Sequence, residues 1–272
     1  MKRYQHTYSL TVADIDPQNR MTAGAVLCYF QDTIGRFLAQ ARVSALDLVK
    51  EGKTWMITEF HCFLADKLPA WPGSISVEVF LSELSSIRVY VDYSVKEKGG
   101  AVVAQGSSCW LMMELASRRM IPGTDVARFA SQYDPQNHVP HRRFAFPSFT
   151  CSDGILMAEH TVSSLETDFN GHLNNRDSVR LALSLARPEW IANRTIRELH
   201  VKFLRECRTG EKMSCRCRNR GQGDIDALLA MVPTAAGHLF ASVAFPQELD
   251  VEFPDRPIGD PLGTGQRQGE PH

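Results

Sequence analysis

Residues 168 to 175 read Asp-Phe-Asn-Gly-His-Leu-Asn-Asn. Within this octet stand a carboxylate at Asp168, an amide at Asn170 and an imidazole at His172. Such groups take a proton from water, orient a polar substrate atom and pass a proton on near neutral pH. At i, i+2 and i+4 they would share one side of an extended segment. A single histidine after a loop is more often structural, but three neighbouring polar groups favour chemistry here. Asp168 alone would be an ordinary turn former, and Asn174 and Asn175 read as cap and turn residues ahead of a helix. Gly171 would let the backbone approach a ligand closely.

An eroded copy of the octet lies near the start of the chain, as Asp16-Pro-Gln-Asn-Arg-Met-Thr-Ala. Gln18 stands where Asn170 stands and Arg20 where His172 stands, so only the second copy keeps reactive groups. The repeat continues downstream. Residues 58 to 67 (Thr-Glu-Phe-His-Cys-Phe-Leu-Ala-Asp-Lys) mirror 197 to 206 (Arg-Glu-Leu-His-Val-Lys-Phe-Leu-Arg-Glu). Lys67 therefore falls opposite Glu206, and His61 opposite His200, a symmetry that marks the two histidines as structural. A short strand-like run, Tyr8 to Val12 or Glu159 to Ser163, precedes each octet. A repeat of this period means two domain-sized units, and the asymmetry points to one active site per pair.

The elements that must position these groups follow from periodicity. A helix capped by Thr22 runs towards Ala41, with Val26, Leu27, Phe30, Ile34, Phe37, Leu38 and Ala41 on one stripe. Strand signals follow over Trp55 to Leu64, Ser74 to Leu84, Arg88 to Lys96 and Val102 to Leu115, separated by Pro- and Gly-rich breaks. A second helix begins near Asn174 or Asn175, continues through Val179, Ala182, Leu183 and Ala186, and stops before Pro188. Strands resume at about Ile196. One buried helix followed by a curved antiparallel sheet, occurring twice, predicts an α+β sandwich. The units span 1–128 and 151–253, with a linker over 129–150 and a disordered tail over 254–272.

Composition bounds the function. With 272 residues, 43% of them hydrophobic, the chain suits one large or two small domains with adequate cores. Seven cysteines without framework spacing, and a start lacking a positive-then-apolar leader, lead us to expect a reducing cytoplasm. No run of uncharged apolar residues suits a membrane helix. The formal charge of -1 gives no global basic signal. From Arg142 to Arg220, however, fourteen Lys/Arg face nine Asp/Glu. That surplus would suit an acidic partner as well as a solvated face. Aromatic residues do not interleave with it as nucleic-acid binding requires. Cys215-Arg-Cys217 lacks a second ligand pair, so no metal is expected, and no nucleotide or phosphate loop is present.

Taken in order, these motifs resemble the acyl-(acyl carrier protein) thioesterase family of tandem hotdog proteins. The likeness covers roughly residues 5 to 250. It rests on Asp168-x-Asn170-x-His172-x-Asn174-Asn175 and on Arg205-Glu206-Cys207, thirty-four residues after the histidine. In the first half it rests on Trp55-Met-Ile-Thr with Pro69-Ala-Trp-Pro-Gly, and on Ser107-Ser-Cys-Trp-Leu-Met-Met with Arg118-Arg119. The resemblance implies a double hotdog fold and hydrolysis of fatty acyl thioesters on acyl carrier protein, an acidic partner. The catalytic set would lie in the second half and much of the acyl pocket in the first, its depth depending on Met21, Leu27 and Phe30. It also implies that a strand brings Glu206 beside the octet.

Thioester hydrolysis needs an attacking oxygen, a donor for the oxyanion and a route for one proton. Glu206 is then the candidate for polarising water, His172 for holding it and relaying a proton, and Asn170 for orienting water or carbonyl. Asp168 orients the site or acts as the base itself. The helix start supplies free N–H groups. Arg176 and Arg180 are candidates for a carrier phosphate. A rival scheme makes Cys207 a thiolate nucleophile, but a carboxylate neighbour at Glu206 would raise its pKa. No cofactor is called for. Other readings on the same fold are a coenzyme A thioesterase, a dehydratase and a non-catalytic acyl sensor. A monomer and a homodimer of tandem units are both compatible with the repeat.

Overall fold

A computed structural model of the chain describes residues 3–123, 130–131, 155–184, 198–219, 227–233 and 241–245. The tail, nearly all of the linker, Ala186, Pro188 and the side chains of Cys215 and Cys217 lie outside the described residues. The first half holds β1 (Arg3–Ser9), a 3-10 turn (Val12–Asp14), α1 (Ala23–Gln40), α2 (Ala45–Val49) and β2 (Lys53–Leu64). It continues with β3 (Ser74–Leu84), β4 (Arg88–Glu97), β5 (Val102–Glu114) and β6 (Met120–Ile121). The second half holds β7 (Ile155–Thr161), a 3-10 turn (Ser164–Glu166), α3 (Asn175–Ser184), β8 (Glu198–Phe203), β9 (Lys212–Asn219), β10 (Ala227–Pro233) and β11 (Ala241–Phe245).

The first helix follows its sequence. The Thr22 hydroxyl oxygen accepts the Ala25 N–H at 3.1 Å, and Val26, Leu27, Phe30, Ile34, Phe37 and Leu38 are all buried. The strand-like runs before each octet end earlier than expected. Strand β1 stops at Ser9 and β7 at Thr161, because Thr11 and Ser163 each open a capping box instead. The Thr11 N–H donates to Asp14 Oδ2 at 2.6 Å and the Ser163 N–H to Glu166 Oε2 at 2.7 Å. A hydroxyl with an acid three residues on satisfies the turn locally and outcompetes the strand. The same signal, Ser44 with Asp47, starts α2, which strand periodicity does not reveal.

All eleven strands among the described residues join one antiparallel sheet. Its order is β1-β3-β4-β5-β2 in the first half and β8-β11-β10-β9-β7 in the second, with β6 beside β5. The halves meet where β2 pairs with β8. His61 lies opposite His200 there, with Phe60 opposite Val201 and Cys62 opposite Leu199. The two imidazoles stack at 3.9 Å between centroids and 16° between planes. The repeat thus closes on itself about a local twofold at this pair. Helix α1 lies against β1 and β3 and meets α3.

Beneath α1, Phe30 and Phe60 pack on Tyr93, with ring centroids 4.5 Å and 5.6 Å from the tyrosine. All three are buried, and each side chain of this size contributes about 2 kcal/mol on burial. The Tyr93 hydroxyl donates to the His61 carbonyl at 3.0 Å. That bond ties the core to the junction strand. Gly106 sits between them, since a Cβ there would lie 1.9 Å from the His61 carbonyl oxygen and 2.6 Å from the Tyr93 hydroxyl. We expect Gly106→Ala to destabilise the fold by at least about 2 kcal/mol, because backbone must move to admit the methyl. Denaturant titration of the two proteins measures this directly.

Candidate active site

The octet is a tight turn rather than the extended segment its alternation suggests. The Asp168 N–H donates to the His172 carbonyl at 2.8 Å and the Gly171 N–H to the Asp168 carbonyl at 2.9 Å. Oδ1 of Asp168 accepts the N–H groups of Asn170 (2.8 Å) and His172 (3.2 Å). The inert copy builds the same turn, with Asp16 Oδ1 accepting from Gln18 (3.0 Å) and Arg20 (2.9 Å). An aspartate that does this in both halves is a turn former. Gly171 serves the turn through its φ of +73°. No protein atom lies within 4 Å of a Cβ placed there, so the positive φ is the reason for glycine that the fold itself supplies. Asn19, at φ +58°, holds the equivalent position.

Turning the octet into a hairpin sends His172 towards the segment after β8. The two segments are stitched by an isolated bridge, His172 opposite Arg208, and by the Leu173 N–H donating to the Cys207 carbonyl at 2.7 Å. In consequence His172 Nε2 lies 3.4 Å from Glu206 Oε2. The histidine nitrogen is buried and has no hydrogen-bond partner within normal geometry, so the Glu206 carboxylate is the polar group that faces it. Asn170 sits exposed at the turn tip, and among the described residues no hydrogen bond joins it to His172 or Glu206. Asn174 caps α3, its Oδ1 accepting the Arg176 N–H at 2.9 Å. Asn175 is the first helical residue.

One contact is not legible from the octet. Nη2 of Arg118, in the turn between β5 and β6, donates to Glu206 Oε2 at 2.9 Å across 88 positions. Sequence reading marks Arg118 only as part of a recurrent motif. Cys207 is fully buried, and its thiol is pushed up to about 12 by that burial and by Glu211. The thiolate scheme is therefore disfavoured for a different reason from the one expected: Glu211, rather than Glu206, is the carboxylate at the sulfur.

Comparison with known proteins fits this geometry. The acyl-ACP thioesterase N-terminal domain model matches residues 1–126 and the C-terminal domain model matches residues 153–242. The chain belongs to the acyl-ACP thioesterase family. It is 20% identical over 216 residues to the chloroplastic palmitoyl-acyl carrier protein thioesterase of Arabidopsis thaliana, a match covering 75% of this chain and 52% of that protein. Its identity to the Arabidopsis oleoyl-acyl carrier protein thioesterase 2 is 24%, covering 67% of this chain and 52% of the relative. The chain thus spans about half the length of the curated relatives it matches. Among solved structures, an acyl-ACP thioesterase from Bacteroides thetaiotaomicron superposes with TM-score 0.77 at 18% identity, over 90% of this chain and 97% of that one. The 12:0-ACP thioesterase of Umbellularia californica does so with TM-score 0.77 at 15% identity, with the same coverage. These structures establish the fold as a tandem hotdog.

Arg176 and Arg180 stand on the first two turns of α3. They line a cavity of about 850 Å³ together with Asp16, Arg20 and Met21 of the inert copy. Neither His172 nor Glu206 lines that cavity, while Leu27 and Phe30 are fully buried. Asp177 draws both arginines to itself, 3.5 Å from Arg176 Nε and 3.1 Å from Arg180 Nη1. Among the described residues no helix is long and apolar enough to cross a membrane.

Two outcomes follow from this packing. Asp168→Ala should cost about 1–2 kcal/mol through its two lost backbone acceptor contacts, and Asp168→Asn much less, since an amide oxygen still accepts. Thermal unfolding of the two variants checks this. Cys207→Ala should lower stability by about 1 kcal/mol, the scale of a small buried side chain, and leave turnover within about twofold of wild type. A thiolate nucleophile would instead make that variant inactive.

Proposed function

We propose that the chain hydrolyses fatty acyl thioesters carried by acyl carrier protein, yielding a free fatty acid and the carrier's thiol in fatty acid biosynthesis. The observation that carries this reading is the convergence of His172 and Glu206, 3.4 Å apart, on the octet copy that keeps its reactive groups. Family membership supports the substrate class. The first unit (1–128) frames the pocket and the second (151–253) carries the chemistry.

Glu206 takes a proton from water as its oxygen attacks the thioester carbonyl. The carbonyl electrons move onto oxygen, beside the octet and the positive end of α3, which favours that charge. Collapse of the tetrahedral intermediate breaks the carbon–sulfur bond, and the proton returns through His172 to the departing sulfur. Asn170, at the turn tip, orients the water or the carbonyl. Asp168 holds the turn, and its Oδ1 is occupied by two backbone N–H groups. Arg176 and Arg180 share the single carboxylate of Asp177 and keep a net positive charge, which suits a carrier phosphate.

The basic surplus of the second half suits an acidic carrier protein. Plant relatives are named as chloroplastic; for this chain we propose a reducing cytoplasm, in keeping with free Cys28, Cys62, Cys109 and Cys207. Thiol release from carrier-bound and coenzyme A-bound thioesters of one acyl chain tests the assignment. We expect carrier-selective turnover, with Glu206→Gln and His172→Ala each lowering kcat by about a hundredfold or more. Preference for coenzyme A would move the protein to that substrate class, and absence of thiol release from both would refute the hydrolase reading.

A further inference from the structure

The turn between β5 and β6 is held firmly. The Glu114 N–H donates to the Arg119 carbonyl at 2.9 Å, the Ser117 hydroxyl to Glu114 Oε2 at 2.5 Å, and the Arg119 N–H to Ser117 Oγ at 3.2 Å. Within it Arg118 adopts φ +54°. That is the left-handed region, where glycine or asparagine is the low-strain choice in a hairpin turn. An arginine there has a strained backbone. Its ion pair with Glu206 does not explain it as a stability device, because the side chains are 57% and 30% exposed and such pairs add little. Strain retained without a stabilising return is typical of functional positions.

The pair also has a definite geometry. Arg118 Nη2 at 2.9 Å and His172 Nε2 at 3.4 Å both face Oε2 of Glu206. Among the described residues Oε1 carries no hydrogen bond. We infer that Arg118 is a positioning residue of the second half's site, supplied by the otherwise inert first half. It anchors Oε2, fixes the carboxylate rotamer beside His172 and leaves Oε1 to receive the proton from water. The site is thus shared between the repeats, and the second unit alone is incomplete. This inference rests on Glu206 acting as the base.

The test uses the full chain with Arg118→Ala, Arg118→Lys, Glu206→Gln and the Arg118→Ala/Glu206→Gln double variant, assayed with an acyl carrier protein thioester. Arg118→Ala should lower kcat by about tenfold to a hundredfold, the scale of a misplaced catalytic group, with KM and melting temperature nearly unchanged. Millimolar guanidinium ion should restore part of that loss, as should Arg118→Lys. The double variant should be no slower than Glu206→Gln, since the two residues act as one unit. Wild-type turnover in Arg118→Ala beside an inactive Glu206→Gln would overturn this inference alone. A rise in KM at constant kcat would make Arg118 a substrate-docking residue and overturn it as well. Wild-type turnover in Glu206→Gln would remove the proposed base and the inference together.

Discussion

The pairing of β2 with β8 is the contact on which the rest of the architecture depends. Two sheets that would each end in an unpaired edge become one, so the ladder hydrogen bonds of both edge strands are satisfied internally. The register is pinned at His61 and His200, whose rings stack at 3.9 Å, and a slip by one residue would turn every buried side chain of β8 outwards. Tyr93 and Gly106 brace the same point from the core, through the His61 carbonyl. Because the junction is rigid, a residue in one half can hold a fixed position relative to a residue in the other.

That rigidity gives the duplication its chemical meaning. Both octets fold into the same hairpin, with the same aspartate accepting the same two backbone N–H groups. In the first half Arg20 closes on Asp16 at 2.8 Å, which neutralises the site. In the second, His172 finds Glu206 instead. The inert half also contributes, through Arg118, to the site it lacks. The two copies thus share one frame and differ in the groups it presents, Arg20 in the first and His172 in the second.

Cys207 and Glu206 are neighbours in sequence with opposite surroundings. The carbonyl of Cys207 accepts the Leu173 N–H, which buries the thiol beneath the turn beside Glu211 and makes ionisation costly. Glu206, one position earlier, keeps 30% of its side chain exposed and faces His172 and Arg118. Adjacent side chains on an extended segment point to opposite sides, and here that separation divides a buried thiol from a part-exposed carboxylate.

Sequence alone determined the parts of this protein that depend on local pattern. The buried stripe of α1, the Thr22 cap, the four first-half strands and the duplicated octet follow from periodicity and from polar groups within a few positions of their partners. So did the caps at Thr11, Ser163 and Ser44 in principle, since hydroxyl and acid lie three residues apart, although strand-like runs masked the first two. Tertiary structure alone decided what meets across the fold. The 3.4 Å approach of Glu206 to His172 and the reach of Arg118 over 88 positions depend on through-space distance and burial. Those quantities come from the pairing of distant strands, and separation along the chain does not encode them.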